Sequence, residues 1–247
     1  MSSQDPHTLF ISDLHLHQSR PGINDLFRQF AEQDAVRADA VYILGDLFEF
    51  WYGDDDDDPL NLEIQDVLAS ITAAGTPVFF IHGNRDFLLG TGFENKAGVQ
   101  CLAEETVIDL YGTPTLVMHG DSLCTDDHEY MKFREMVRNP ANQKAFMAMP
   151  LSERRKMATD IRQQSQQAMQ LKANDITDVN DQAVEQAFRR NQVQRLIHGH
   201  THRPAIHDLT IDQHSAQRYV LGDWYDQGSL LYASPTGLEL RNKPLSE

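Results

Sequence analysis

The stretch LIHGHTHRP, residues 196–204, sets His198, His200 and His202 at alternate positions with a glycine among them. Alternate side chains of an extended segment leave on one side, so one short stretch can present several imidazoles together. Such a cluster is either a basic, pH-sensitive turn or part of a metal site. Four further groups decide between these readings: Asp13-Leu14-His15, Gly45-Asp46, His82-Gly83-Asn84-Arg85-Asp86 and His119-Gly120-Asp121. Carboxylate, amide and imidazole are oxygen and nitrogen donors. With no thiolate among them, the set suits Mn²⁺, Fe²⁺, Zn²⁺ or Co²⁺. The donors are too many for one ion. Two ions sharing a carboxylate, a role open to Asp46, can activate a water and clamp a phosphorus centre. His82 and His198, each directly before a glycine, read as supporting groups rather than ligands.

Each group follows a short apolar run. TLFIS (8–12), AVYILG (40–45), PVFFIH (77–82), TLVMHG (115–120) and RLIHG (195–199) read as buried strands. Ile23, Leu26, Phe27 and Phe30 recur at helical spacing between the first two runs. Leu62, Ile64, Val67, Leu68 and Ile71 do so between the second and third. Strand, helix, strand predicts an α/β domain with a largely parallel sheet, and ligands gather beyond the carboxyl ends of such strands. Apolar runs at 206–211, 218–221 and 229–233 lie close together and predict antiparallel pairing. Residues 125–192 differ: they lack strand-like runs and are rich in good helix formers. Six of the eight methionines lie there, which predicts a helical insertion between two strands. The run DDDDD at 54–58 reads as a solvated acidic loop.

A length of 247 residues fits one sizeable domain, or a domain with a subdomain. The net charge of −16, from 21 basic and 37 acidic residues, argues against nucleic acid as a partner. The charge is unevenly spread, because residues 132–172 hold nine Lys or Arg against three acids, a local +6. No apolar run is long enough to span a membrane. The first residues show no secretory pattern, and Cys101 and Cys124 make no disulfide framework. Reduced thiols in a cytosolic protein are therefore expected.

Taken together, DLH, GDLFEFW, GNRD, HGD and HGHTH resemble the calcineurin-like metallophosphoesterase superfamily. The resemblance implies an α/β fold, an αββα sandwich. Its core would comprise 1–124 and 193–247, with a helical cap inserted at 125–192. It also implies how the donors divide. Asp13, His15, Asp46 and His202 would hold one metal, and Asp46, Asn84, His119 and His200 the other.

Arg85 departs from the wider superfamily, where a histidine able to act as an acid usually follows the asparagine. Arginine stays protonated, so it is a poor proton donor, but its fork suits phosphate oxygens. A phosphate leaving group, as in a pyrophosphate, needs little protonation. GNRDFLLG (83–90), GDLFEFWYGDD (45–55) and IHGHTHRP (197–204) resemble one branch, the UDP-2,3-diacylglucosamine hydrolases, over nearly the full length. That resemblance implies water attack on the α-phosphorus of a lipid-linked nucleotide sugar. The products would be UMP and 2,3-diacylglucosamine 1-phosphate, in lipid A biosynthesis. It implies two Mn²⁺ ions and catalytic roles for Asp46, Asn84 and Arg85. Asn84, Arg85, Asp127, Ser165, Lys172 and His200 would contact substrate, while Met169 stands where a polar residue is expected. A peripheral monomer on the cytoplasmic face of the inner membrane is expected, with no nucleic acid partner.

Within the insertion, Met131, Met136, Phe146, Met147, Met149, Met157, Ile161, Met169 and Leu171 could line a chamber for acyl chains. The local +6 could meet UDP phosphates or anionic headgroups. Two alternatives are a phosphodiesterase or nucleotide-sugar pyrophosphatase of the same superfamily, and a non-catalytic scaffold.

Overall fold

The computed structural model describes residues 5–169 and 178–245, with the backbone alone described over 164–169. Among the described residues, eleven strands form two sheets. In the first the order is β11-β10-β1-β2-β3-β4. Here β1 (Thr8–Ile11), β2 (Ala40–Ile43), β3 (Val78–Phe80) and β4 (Gln100–Cys101) run parallel. The antiparallel hairpin of β10 (Gln227–Ser234) and β11 (Gly237–Pro244) joins through β10. The second sheet has the order β5-β6-β7-β9-β8. Its β6 (Thr113–Val117), β7 (Arg195–His198) and β9 (His214–Val220) are parallel. Its edges β5 (Thr106–Leu110) and β8 (Ala205–Ile211) are antiparallel to their neighbours.

Alternation along the strands explains the layers. Leu9, Ile11, Val41 and Ile43 pack against α1 (Pro21–Gln33) and α2 (Pro59–Ala73) through Phe27, Phe30, Ile64 and Leu68. The intervening Phe10 faces the other way and meets Leu44, Ile81, Val117, Ile197 and Leu231 between the sheets. Leu116 and Leu196 face outward again, onto Val184 and Phe188 of α7 (Asp181–Asn191). The result is helices, sheet, sheet, helix. The single, largely parallel sheet expected from the runs alone is thus two mixed sheets. Strand β5 escaped the sequence reading because it alternates exposed and covered residues and carries little apolar weight. The insertion expected over 125–192 includes α7, which packs with the core.

The rest of the insertion forms α4 (His128–Arg138), α5 (Pro140–Met147) and α6 (Leu151–Met169). Neither α4 nor α5 has a buried residue, so apolar burial alone does not hold this cap. The acid run holds much of it. Asp54 accepts from the backbone N–H of Gly90 and Gly92 at 3.0 and 2.8 Å, at the start of α3 (Thr91–Ala97). Asp55 pairs with Arg154 of α6, which is 1% exposed and also donates to the carbonyls of Tyr52 and Met149. Asp56 is buried, accepts from Asn61 at 2.9 Å and pairs with Arg155. Asp57 pairs with Arg155 at 2.5 Å, and Asp58 caps α2 through Leu60 N at 2.9 Å. Asp54, Asp55 and Asp57 are exposed, as expected of a solvated loop, yet each carboxylate of the run also has its own partner. Asp55, Asp56 and Asp57 find partners about a hundred residues away, in the basic cap.

Neither Cys101 nor Cys124 forms a disulfide. Among the described residues no helix is long and apolar enough to cross a membrane.

Replacing Arg154 by Ala should loosen the cap while leaving the sheets folded. Asp55 is largely exposed and its pairing counts for little. The carbonyls of Tyr52 and Met149 would lose a charged donor, at about 1.5–3 kcal/mol. Limited proteolysis should show faster cleavage within α5 and α6, and an unchanged cleavage rate would refute this role.

Candidate metal centre and substrate chamber

The parallel strands of both sheets end at one edge, and the loops that leave them carry the donors. Asp13 and His15 follow β1, Asp46 follows β2, Asn84 and Arg85 follow β3, His119 follows β6, and His200 and His202 follow β7. Five of these residues have left-handed backbones: Asp13, His15, Asp46, His200 and His202, with φ between +48° and +67°. That region is costly for residues other than glycine. Backbone bonds hold them there: Asp13 N to Gly45 O, and His15 N to Asp46 O, both at 3.0 Å. Close approach also demands glycines. A Cβ on Gly83 would stand 2.1 Å from Asp46 Oδ1, and one on Gly199 would stand 2.3 Å from Asp13 Oδ2.

All seven expected donors come together. Asp46 faces two ways, with Oδ2 3.9 Å from His15 Nε2 and Oδ1 3.9 Å from His119 Nε2. On one side His15 Nε2 and His202 Nε2 approach to 3.4 Å, and His202 Nε2 lies 3.4 Å from Asp13 Oδ1. On the other side His119 Nε2 and His200 Nδ1 both lie 3.0 Å from Asn84 Oδ1. Asp13, His15, Asp46 and His119 are buried, and Asp13 Oδ1 has no hydrogen-bond partner among the described residues. Buried nitrogens that face one another across an orphaned carboxylate oxygen fit a pair of divalent cations. Two groups able to hold a metal are Asp13, His15 and His202, and Asp13, Asp46 and His119.

The electrostatics follow from this crowding. Burial opposes the charge on His202, but Asp13 and Asp223 outweigh it and push the pKa up to about 10. Burial, then the neighbouring His119, holds His200 down to about 4. Burial also works against Asp13, yet His202, His119 and His15 keep its carboxyl far below the usual range. His198 is fully buried beside Arg218 and pushed down to about 3, first by burial and then by that charge. Its Nδ1 lies 2.9 Å from Gly199 O, in the supporting place expected. His82 likewise supports the turn, with Nε2 2.9 Å from Leu89 O.

Several groups escaped the sequence reading. Glu49 Oε2 lies 3.2 Å from His15 Nδ1, and Asp223 Oδ2 lies 3.0 Å from His202 Nδ1. Asp86 accepts from the N–H groups of Gly83 and Leu47, both at 2.8 Å, and so ties two donor loops together. Asp121 accepts from Tyr130 Oη at 2.9 Å and from Arg134 Nε at 2.8 Å, which fastens α4 over the site. Glu49 lies within GDLFEFW, Asp86 within GNRD and Asp121 within HGD, so the motifs held these carboxylates but not their partners; Asp223 stands outside any of them.

Arg85 donates its backbone N–H to Asp46 Oδ1 at 2.8 Å, and its buried Nε has no partner among the described residues. Its side chain lines a chamber of about 720 Å³ that runs from the donors beneath the cap. Met136, Phe146, Met149, Met157 and Ile161 line it as expected, while Met131 and Met147 do not. Met147 Sδ instead approaches Arg154. The opposite wall comes from the core: Phe50, Trp51, Tyr52, Phe87 and Leu88. Asp127 lines the chamber but also caps α4, accepting from Tyr130 N at 3.0 Å. The side chains of Ser165 and Met169, and all of Leu171 and Lys172, lie outside the described residues. The local +6 is largely engaged by the core, since Arg134, Arg154, Arg155 and Arg162 all pair with its acids.

The model of the calcineurin-like phosphoesterases matches residues 6–204. This chain belongs to that family. The phosphoesterase is 53% identical over 238 residues to a protein of Serratia proteamaculans named UDP-2,3-diacylglucosamine hydrolase, covering 96% of this chain and 99% of that one. Proteins of the same name from Cellvibrio japonicus and Klebsiella pneumoniae are 52% and 49% identical, over 96% of this chain and 98% and 99% of theirs.

The charge on His202 has a measurable consequence for this phosphoesterase. Its folded pKa lies above the ordinary 6.5. In the metal-free protein its stabilising contribution is therefore complete below that value and is lost as pH rises through about 10. A metal that bound at Nε2 would have to displace the proton. Apparent affinity at that position should rise about tenfold per pH unit between about pH 7 and about pH 9. Metal titrations across that window, in which a flat affinity would disprove the assignment, provide the check.

Proposed function

We propose that this phosphoesterase hydrolyses the pyrophosphate bond of UDP-2,3-diacylglucosamine, giving UMP and 2,3-diacylglucosamine 1-phosphate. The observation that carries the reading is the apolar chamber that reaches Asn84, at the edge of the donor cluster, and Arg85. A small soluble phosphodiester has no use for such a chamber, whereas acyl chains fill one. The names of the relatives at about half identity point the same way.

Asp13, His15, Asp46 and His202 hold one Mn²⁺, and Asp46, Asn84, His119 and His200 hold the second. When bound, the pair supplies an activated water at neutral pH and offsets charge on the phosphates. Arg85 grips phosphate oxygens through a guanidinium that stays charged. It offers no proton, and the leaving sugar phosphate needs none. Asn84 and His200 border the position of the α-phosphate. Tyr130, whose ring lies 5.8 Å from that of His200, narrows the same space. Phe87, Phe146, Met149 and Ile161 enclose the chains. Asp127, on the chamber wall, contributes a further substrate contact.

Membrane contact on the cytoplasmic face follows from the same substrate. Met136, Met147 and Met157 are exposed on the cap, as are Lys132, Lys144 and Lys156. Exposed apolar side chains and exposed lysines on one cap suit an anionic lipid surface.

Incubation with UDP-2,3-diacylglucosamine and Mn²⁺ in ¹⁸O-water should place the label in UMP. Label in the sugar phosphate, or no turnover by protein that still cleaves an aryl phosphodiester, would make the reading wrong. Arg85→Ala should retain both ions and lose about 10²–10³ in turnover; near-normal turnover would exclude the clamp.

A further inference from the structure

Glu49 occupies a place that none of its neighbours duplicates. Its backbone is pinned to the loop of Asp13 and His15: Glu49 N donates to Leu16 O at 3.2 Å, and Leu16 N to Leu47 O at 2.9 Å. Its side chain is mostly covered, at 13% exposed. The two carboxylate oxygens then serve different parts of the molecule. Oε2 lies 3.2 Å from His15 Nδ1, and Oε1 lies 2.5 Å from an Arg162 guanidinium nitrogen on α6. The contact with His15 is poorly aligned as a hydrogen bond. Even so, that buried nitrogen has no better partner among the described residues. Asp223 stands behind His202 in the same way, but only Glu49 also holds the cap.

We propose that Glu49 is a positioning residue that ties one half of the metal centre to the cap. One oxygen fixes the tautomer and orientation of the His15 ring, leaving Nε2 for the ion, while the other anchors α6 through Arg162. Carboxylates placed behind metal-bound imidazoles set both ring orientation and basicity. Here the same carboxylate also depends on where α6 lies. Cap docking and metal affinity are therefore coupled, and the coupling is reciprocal. It acts on the half built from Asp13, His15, Asp46 and His202, and leaves the half around Asn84, His119 and His200 alone. The inference rests on the metal roles proposed above.

The experiment is Mn²⁺ titration of metal-free wild type, Glu49→Ala, Glu49→Gln and Arg162→Ala. Backbone hydrogen exchange of α6 is followed in parallel. Glu49→Ala should weaken one of the two sites by about 10–100-fold and leave the other unchanged. Glu49→Gln, whose amide oxygen can keep the same place beside His15 Nδ1, should recover most of that loss. All three variants should exchange faster in α6 than wild type. Arg162→Ala leaves Glu49 and His15 in place, so it tests the bridge even if Glu49→Ala fails to fold. It should weaken the same site by about threefold to tenfold. Wild type with two sites and Glu49→Ala with the same two affinities would overturn the inference alone, as would Arg162→Ala with unchanged affinities. Wild type that takes up no Mn²⁺ would overturn the metal reading and this inference with it.

Discussion

Donor side chains from five loops must enter one small volume, and the backbone gives way to let them. Asp13, His15, Asp46, His200 and His202 all sit in the left-handed region, at about 1–2 kcal/mol each for ordinary residues. Alternate residues of the two loops share this conformation, which turns successive donors toward the same point while Leu14 is driven into the core. Nothing local favours the arrangement. It persists because the two sheets clamp the loops between them and because the loops bond one another. Trp224 N donates to Asp13 O, and His200 N donates to Asp13 Oδ2. Strain of this kind survives only where its surroundings over-determine it.

Much of this architecture is legible in the sequence because two simple rules govern it. Strands buried on both faces must be apolar throughout, so β1, β2, β3, β6 and β7 announce themselves. Ligand chemistry draws on few residue types, so Asp, Asn and His next to glycine at strand ends stand out. What the sequence hides depends on distant pairing. Strand β9 lies beside β7 in parallel while β8 takes the edge, an order that no periodicity encodes. Glu49, Asp223 and Tyr130 act through single contacts made by the finished fold. Glu49 lies inside a quoted motif, yet neither its type nor that of Asp223 or Tyr130 says which distant group it will meet.

The cap shows how misleading local charge can be. Its basic excess looks like a surface waiting for an anion, and the acid run looks like a loop waiting for water. Each in large part answers the other. Arg154 and Arg155 reach back to the run, Arg162 to Glu49, and Arg134 to Asp121. The apolar residues of the cap line the chamber rather than fill it, and these pairs help to hold the cap above that space. A cap attached by packing alone would fill the space that a ligand needs.

The acid run has one further property. Its five residues are chemically identical, yet each occupies its own slot: two N–H groups at the start of α3, Arg154, Asn61 with Arg155, Arg155 again, and the start of α2. Such a run behaves as a comb, in which the number of teeth matters more than any one of them. Exchange of a single carboxylate disturbs one slot. Insertion or deletion of one residue shifts every tooth past the break into its neighbour's place, without altering the apparent character of the segment. Repetitive tracts are commonly regarded as tolerant of changes in length. This one is held to its length by partners at both ends of α2's entry loop and in the cap.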